Sequence, residues 1–220
     1  FKDTDRKFKI DIDNNELRPG MVEQSEWKKY EMCDSNGFYT ETFEFVFKKG
    51  ENIISLEATN EPLALEYIEL VPHKTAMSYA DYKAANQGKP VGTDKIVFEA
   101  EYPTAVSSQT IYPIEDRTDA LNSPIAASKT LLNTLGGSKW QSAGQWVRYK
   151  FEVKNAGMYQ IVPRFQQNIL DGMFTSRSLK IKGGQYTEWT LPFAEAASLR
   201  FEYNRNSWQA APLHFVDSEG

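Results

Sequence analysis

Apolar and polar residues alternate along much of the chain. Phe43, Phe45 and Phe47 are interleaved with Thr42, Glu44 and Val46, the period of two that a half-buried strand requires. Lys49-Gly50-Glu51 then turns the chain into Asn52 to Thr59, which predicts a hairpin, with Leu63 to Val71 as a third strand and Ile96 to Glu101 as a fourth. The clearest pair follows. Val147, Tyr149, Phe151 and Val153 share one face, Asn155-Ala156-Gly157 makes the turn, and Tyr159, Ile161 and Phe165 answer on that face. Residues 73–94 break the period: Ser78 with Asp81 three positions on is an N-cap signal, Tyr79 to Gln87 carries helix formers, and Gly88 with Pro90 stops them. Short strands, frequent turns and one short linker helix predict an all-β, antiparallel β-sandwich.

The length, 220 residues, allows one large domain or two small ones. With 40% hydrophobic and 25% charged residues the chain falls among globular proteins, which excludes wholesale disorder and a disulfide-stapled miniature. Its net charge of −5, from 25 basic and 30 acidic residues, argues against nucleic acid and anionic membrane as partners. No apolar run approaches the length of a membrane-spanning helix, so direct membrane insertion is not expected. The start at Phe1, without a methionine or a signal peptide, reads as a processed or excised piece. The single cysteine, Cys33, fits either a cytosolic protein or an extracellular one from an organism that does without disulfides. Two histidines, His73 and His214, leave little material for a nitrogen-ligated metal, so any metal would be held by oxygen. Aromatic residues make up 13% of the chain, a share that favours stacking on flat apolar faces such as those of sugars.

Self-similarity suggests an internal order. Arg6-Lys7-Phe8-Lys9-Ile10 is echoed by Arg177-Ser178-Leu179-Lys180-Ile181, Trp27 by Trp208, and Asp34-Ser35-Asn36-Gly37 by Asp217-Ser218-Glu219-Gly220. The echoes keep their order, as two differently cut copies of one module would. The chain then divides into residues 1–72, a back half; residues 73–94, a linker; and residues 95–220, a front half.

Three groups of residues could carry chemistry. Glu99 and Glu101, two apart on a strand, place their carboxylates on one side at about 6–7 Å. With Glu66 as a third ligand they would suit a structural calcium ion, the alternative being solvated glutamates on an edge strand. Trp146 shares its face with Arg148 and, across the hairpin, with Gln160, Arg164, Gln166 and Asn168; a flat ring among planar donors is what a sugar site needs, and equally a ring covered by a second layer would satisfy the pattern. Trp140 and Trp208 lie in loop-like stretches, either as stacking platforms or as plugs at the ends of the sandwich. The candidate carbohydrate-binding set is therefore Trp140, Trp146, Trp208, Arg164, Gln166 and Asn168. Glu115, Asp116, Asp119, Glu188 and Glu195 show no spacing of an acid opposed to a nucleophile and read as solvated or capping groups. Phosphate-cradling loops, nucleophile elbows and zinc-protease motifs are absent from the sequence, and no catalytic residue is assigned.

Phe98-Glu99-Ala100-Glu101, then Gly144-Gln145-Trp146-Val147-Arg148-Tyr149, then Ala156-Gly157-Met158-Tyr159 resemble the opening half of galactose-binding-like carbohydrate-binding modules. Lys49-Gly50-Glu51-Asn52-Ile53-Ile54 and Leu65-Glu66-Tyr67-Ile68-Glu69-Leu70 are similar to their closing strands, with Glu66 where Asp is usual. A narrower likeness, in Leu132 to Trp140, Arg164 to Asn168 and Pro192 to Ala196, is to modules of extracellular Gram-positive proteins associated with the solute-binding components of ATP-binding-cassette importers; Lys182-Gly183-Gly184 departs from the Asp-Gly usual there. The resemblance implies a jelly-roll sandwich and a non-catalytic, cell-surface bacterial module that binds a poly- or oligosaccharide. The closing half precedes the opening half, so the chain either spans two tandem modules or completes its sandwich within one chain or by self-association. A structural spacer without sugar binding and an accessory module of a glycoside hydrolase are the alternative roles.

Overall fold

Phe8 and Ile10 are buried while Lys9 between them is exposed, so strand β1 (Phe8–Asp11) turns one apolar edge inward. The computed structural model describes residues 8–11, 20–24, 27, 29–34, 39, 42–59, 62–72 and 74–212. His73 and His214 lie outside the described residues, as do Arg6, Lys7 and Asp217 to Gly220 of the echoed segments.

β1 pairs antiparallel with β2 (Gly20–Glu23), Ile10 opposite Met21. Its other edge meets β3 (Ala105–Val106), Phe8 opposite Val106, and β3 in turn pairs with β6 (Val147–Arg148). The sheet order β2-β1-β3-β6 thus joins the N-terminal segment to residues beyond 100 in one ladder. Under it, Phe8, Ile10, Val106 and Ile111 form the core, with Met21, Leu135, Trp140 and Val147 packed at its margin. Phe8 retains only 1% of its surface in solvent; burying a side chain of this size is worth about 1.5–3 kcal/mol.

Four two-stranded antiparallel pairs complete the described sheets: β4 (Pro113–Ile114) with β5 (Thr134–Leu135), β7 (Arg164–Phe165) with β12 (Gln209–Ala210), β8 (Thr175–Arg177) with β11 (Leu199–Phe201), and β9 (Ile181–Gly183) with β10 (Tyr186–Thr190). The protein is mainly β, built from small antiparallel sheets.

The single α-helix of the described residues, α1 (Tyr79–Ala85), starts and stops where local chemistry dictates. The Ser78 hydroxyl accepts from the Asp81 amide at its N-cap, and Gly88 beyond Asn86 takes a φ of +81°. α1 is docked rather than free: Tyr79 and Tyr82 pack on Phe193 at 4.9 and 5.4 Å, and the Tyr79 amide donates to the Glu195 carboxylate at 2.8 Å. Glu195 is thus a capping group.

Several strands differ from the alternation. Residues 43–59 and 62–72 belong to no paired strand; the turn at Gly50 forms, with φ +112° and Asn52 donating to the carbonyls of Lys48 and Gly50, but no ladder closes above it. Nor do residues 96–101 form a strand, because Tyr102 N–H bonds back to Glu99 C=O in a turn. The expected 147–165 hairpin does not zip either. β6 is taken by β3 and β7 by β12, while the turn at Gly157 docks on residues 90–92 through Met158 N–H to Pro90 C=O and Gly92 N–H to Met158 C=O. The echoed Phe8-Lys9-Ile10 and Leu179-Lys180-Ile181 are not equivalent elements: the first lies within one strand, the second is the link after β8 with the first residue of β9.

Candidate functional site

The pairing of β7 with β12 brings Arg164 opposite Ala210, and so beside Trp208 two residues earlier. The loop before Trp208 is shaped by Asn204, whose side-chain oxygen accepts from the amides of Asn206 and Ser207. The Arg164 guanidinium lies 5.2 Å from the centre of the Trp208 ring. It also donates to Asp119 at 2.8 Å and to the Asn122 amide oxygen. Trp208 Nε1–H reaches Thr118 Oγ1 at 3.4 Å.

These partners come from a loop that the sequence pattern left unassigned. Asp116 Oδ1 accepts from the Thr118 amide, the Thr118 hydroxyl and the Asn122 side chain. Buried Asn133 clamps the other end, accepting from the Asp116 amide and donating to the carbonyls of Asp116 and Pro124. Glu115 accepts from the Leu131 amide and pairs with Arg117, whose hydrogen bond holds the Glu115 carboxyl below its ordinary range. The cluster of Glu115, Asp116 and Asp119 was legible as polar; that it would organise a ring of amide and carboxylate groups around Arg164 was not. The result is a half-buried indole with a guanidinium over it, that guanidinium being held by a carboxylate and an amide; such groups pair with vicinal hydroxyls.

The other candidate residues are placed apart from it. Trp140 follows the short 3-10 turn Gly137–Lys139, packs at the margin of the core and donates its Nε1–H to Gln145 C=O. Arg177 covers it, 4.5 Å from the ring centre, and donates to Trp140 C=O; burial pulls the Arg177 guanidinium below its ordinary pKa. Trp146 does share a face with Arg148, as strand parity requires, at 3.8 Å. The same guanidinium also lies over the ring of Trp189 of β10, 4.6 Å from its centre, a partner no local pattern announces. Gln166 is half-buried and Asn168 exposed, whereas Gln167 between them is buried and ties the following turn through Ile169, Leu170 and Met173.

The three expected calcium ligands do not form one set. Glu66 and Glu99 are exposed and Glu101 is buried, and among the described residues no group of three or more acidic, histidine or cysteine side chains converges. The turn at 99–102 is the reason, since it removes the strand geometry that would align Glu99 with Glu101. Neither carboxylate oxygen of Glu101 has a hydrogen-bond partner among the described residues. Burial raises the Glu101 pKa, its own backbone amide opposes this in part, and Glu99 adds to it. Nearby, burial and then Glu101 push the Tyr149 hydroxyl well above its ordinary range; that hydroxyl donates to Ala100 C=O.

No family model, curated protein or solved structure matches this chain. No helix of the described residues is long and apolar enough to cross a membrane.

Proposed function

We propose that the chain is a non-catalytic carbohydrate-binding module of sandwich type from an extracellular, cell-surface bacterial protein, one associated with the solute-binding component of a sugar importer. The observation that carries this reading is the Trp208–Arg164–Asp119–Asn122 group, an indole with a guanidinium over it and a carboxylate and an amide holding that guanidinium. A poly- or oligosaccharide would lay a C–H face on the side of Trp208 away from Arg164 and offer hydroxyls to Arg164 and Asp119.

A glycan-array screen of the purified chain, with calcium and with chelator, followed by calorimetry on any hit, tests the proposal. Binding that Trp208→Ala and Arg164→Ala abolish supports it; a folded protein that binds no glycan overturns it. In that case the spacer reading takes its place, favoured by the guanidinium groups that already cover Trp140 and Trp146.

A further inference from the structure

We propose that two copies of this chain associate reciprocally, residues 42–72 of each copy lying against residues 147–165 of the other. Residues 42–72 present Phe45, Val46, Ile53, Leu63 and Leu65 to solvent, Val46 at 99%, Ile53 at 86% and Leu63 at 78% of their surface. With Phe43, Phe47, Leu56, Tyr67, Ile68, Leu70 and Val71 also exposed, the apolar area is on the order of 1,000 Å², since a large aromatic alone carries about 150–250 Å². A stable dimer needs about 800 Å² per partner.

The occupant is identified by a second apolar surface of opposite charge on the same chain. Phe151, Val153, Ile161 and Val162 are exposed in residues 147–165. That segment holds four basic residues and one acidic, a net charge of +3, whereas residues 42–72 hold six acidic and two basic, a net charge of −4. Within one molecule Phe151 is stacked on Phe98 at 5.5 Å, yet both segments keep much of their apolar surface in solvent. A reciprocal pairing satisfies both surfaces twice and closes on a two-fold axis, whereas a one-sided contact would propagate into a filament. Exposed Glu57 and Glu66 would face exposed Lys150 and Lys154, fixing the match and rejecting the like-charged pairing. The inference stands independently of the carbohydrate reading.

Sedimentation velocity and light scattering on the whole chain provide the test. The expected result is a dimer at micromolar concentration whose dissociation constant rises at least about tenfold, 1.4 kcal/mol, in Glu57→Lys/Glu66→Lys and in Lys150→Glu/Lys154→Glu. Mixing these two variants should restore a heterodimer, because both of its contacts then pair opposite charges, one with the parent's signs and one with the signs exchanged. A monomer at every concentration, an open-ended polymer, or charge-reversed variants that dimerise like the parent would each overturn the proposal. Should one variant not fold, the unmodified chain still decides, since an electrostatically matched dimer must weaken as salt is raised and one indifferent to salt refutes the charge match.

Discussion

Gly157 backs onto Gly92 so closely that a Cβ on Gly157 would lie 2.6 Å from the Gly92 nitrogen and 2.8 Å from its Cα. The contact is backbone against backbone, held by the Val91–Met158 bridge, and nothing in it can swing aside. Gly157→Ala should therefore cost about 1–3 kcal/mol, the range for forcing extra atoms into a closed contact. Urea denaturation followed by far-UV circular dichroism measures it. An unchanged midpoint would mean that the 155–158 turn does not dock on residues 90–92.

Glu101 should make the protein less stable as pH rises. Its folded-state pKa lies above the ordinary 4.5, so the folded chain binds this proton more tightly than the unfolded one. The stabilising contribution is fully present below the unfolded value and is lost as pH climbs from there through the folded pKa. Glu101→Gln removes the ionisation and keeps the shape. Thermal melts from pH 4 to pH 8 should show the variant gaining on the parent with pH; parallel curves would show that the carboxylate finds a cationic or solvent partner.

Trp140 and Trp208 are separable by what their loss changes. Trp140 packs against the core under Arg177, and Trp140→Ala should lower stability by about 3 kcal/mol. Trp208 stands with the Arg164 group, and Trp208→Ala should cost about 1–3 kcal/mol of glycan affinity with little loss of stability. Melting temperatures measured beside calorimetric titrations distinguish them. A large stability loss at Trp208 would reassign it as a plug.

What could be read from the sequence was local. The Ser78 cap, the Gly88 stop and the placing of Trp146 beside Arg148 each follow from chemistry within a few residues. The alternation of Phe43, Phe45 and Phe47 states that side chains point to opposite sides but not that anything covers them. β1 is not legible although Phe8-Lys9-Ile10 alternates, because four residues give little signal, its near partner β2 carries no clear alternation, and its other partner, β3, is about a hundred positions away. Arg164 and Trp208 met for the same long-range reason: a two-residue ladder between β7 and β12. The alignment of Glu99 with Glu101 was not legible, because parity presumes a strand and the chain turns there.

Arg148 lies between two indoles, its guanidinium carbon 3.8 Å from the Trp146 ring centre and 4.6 Å from that of Trp189. Trp146 precedes β6 and Trp189 belongs to β10, so the stack ties two sheets that share no ladder. A planar guanidinium can stack on both rings at once, which the compact ammonium of lysine cannot. Each such contact is worth about 0.5–1 kcal/mol at an exposed site and about 2 when desolvated. Arg148→Lys should thus lower stability by about 1 kcal/mol and shift the tryptophan emission. Combined with Trp189→Ala it should show a coupling energy, since lysine has already lost what the second change removes. Strictly additive losses would mean that Trp189 and Arg148 are neighbours without being partners, and that β10 is held to β6 by other contacts.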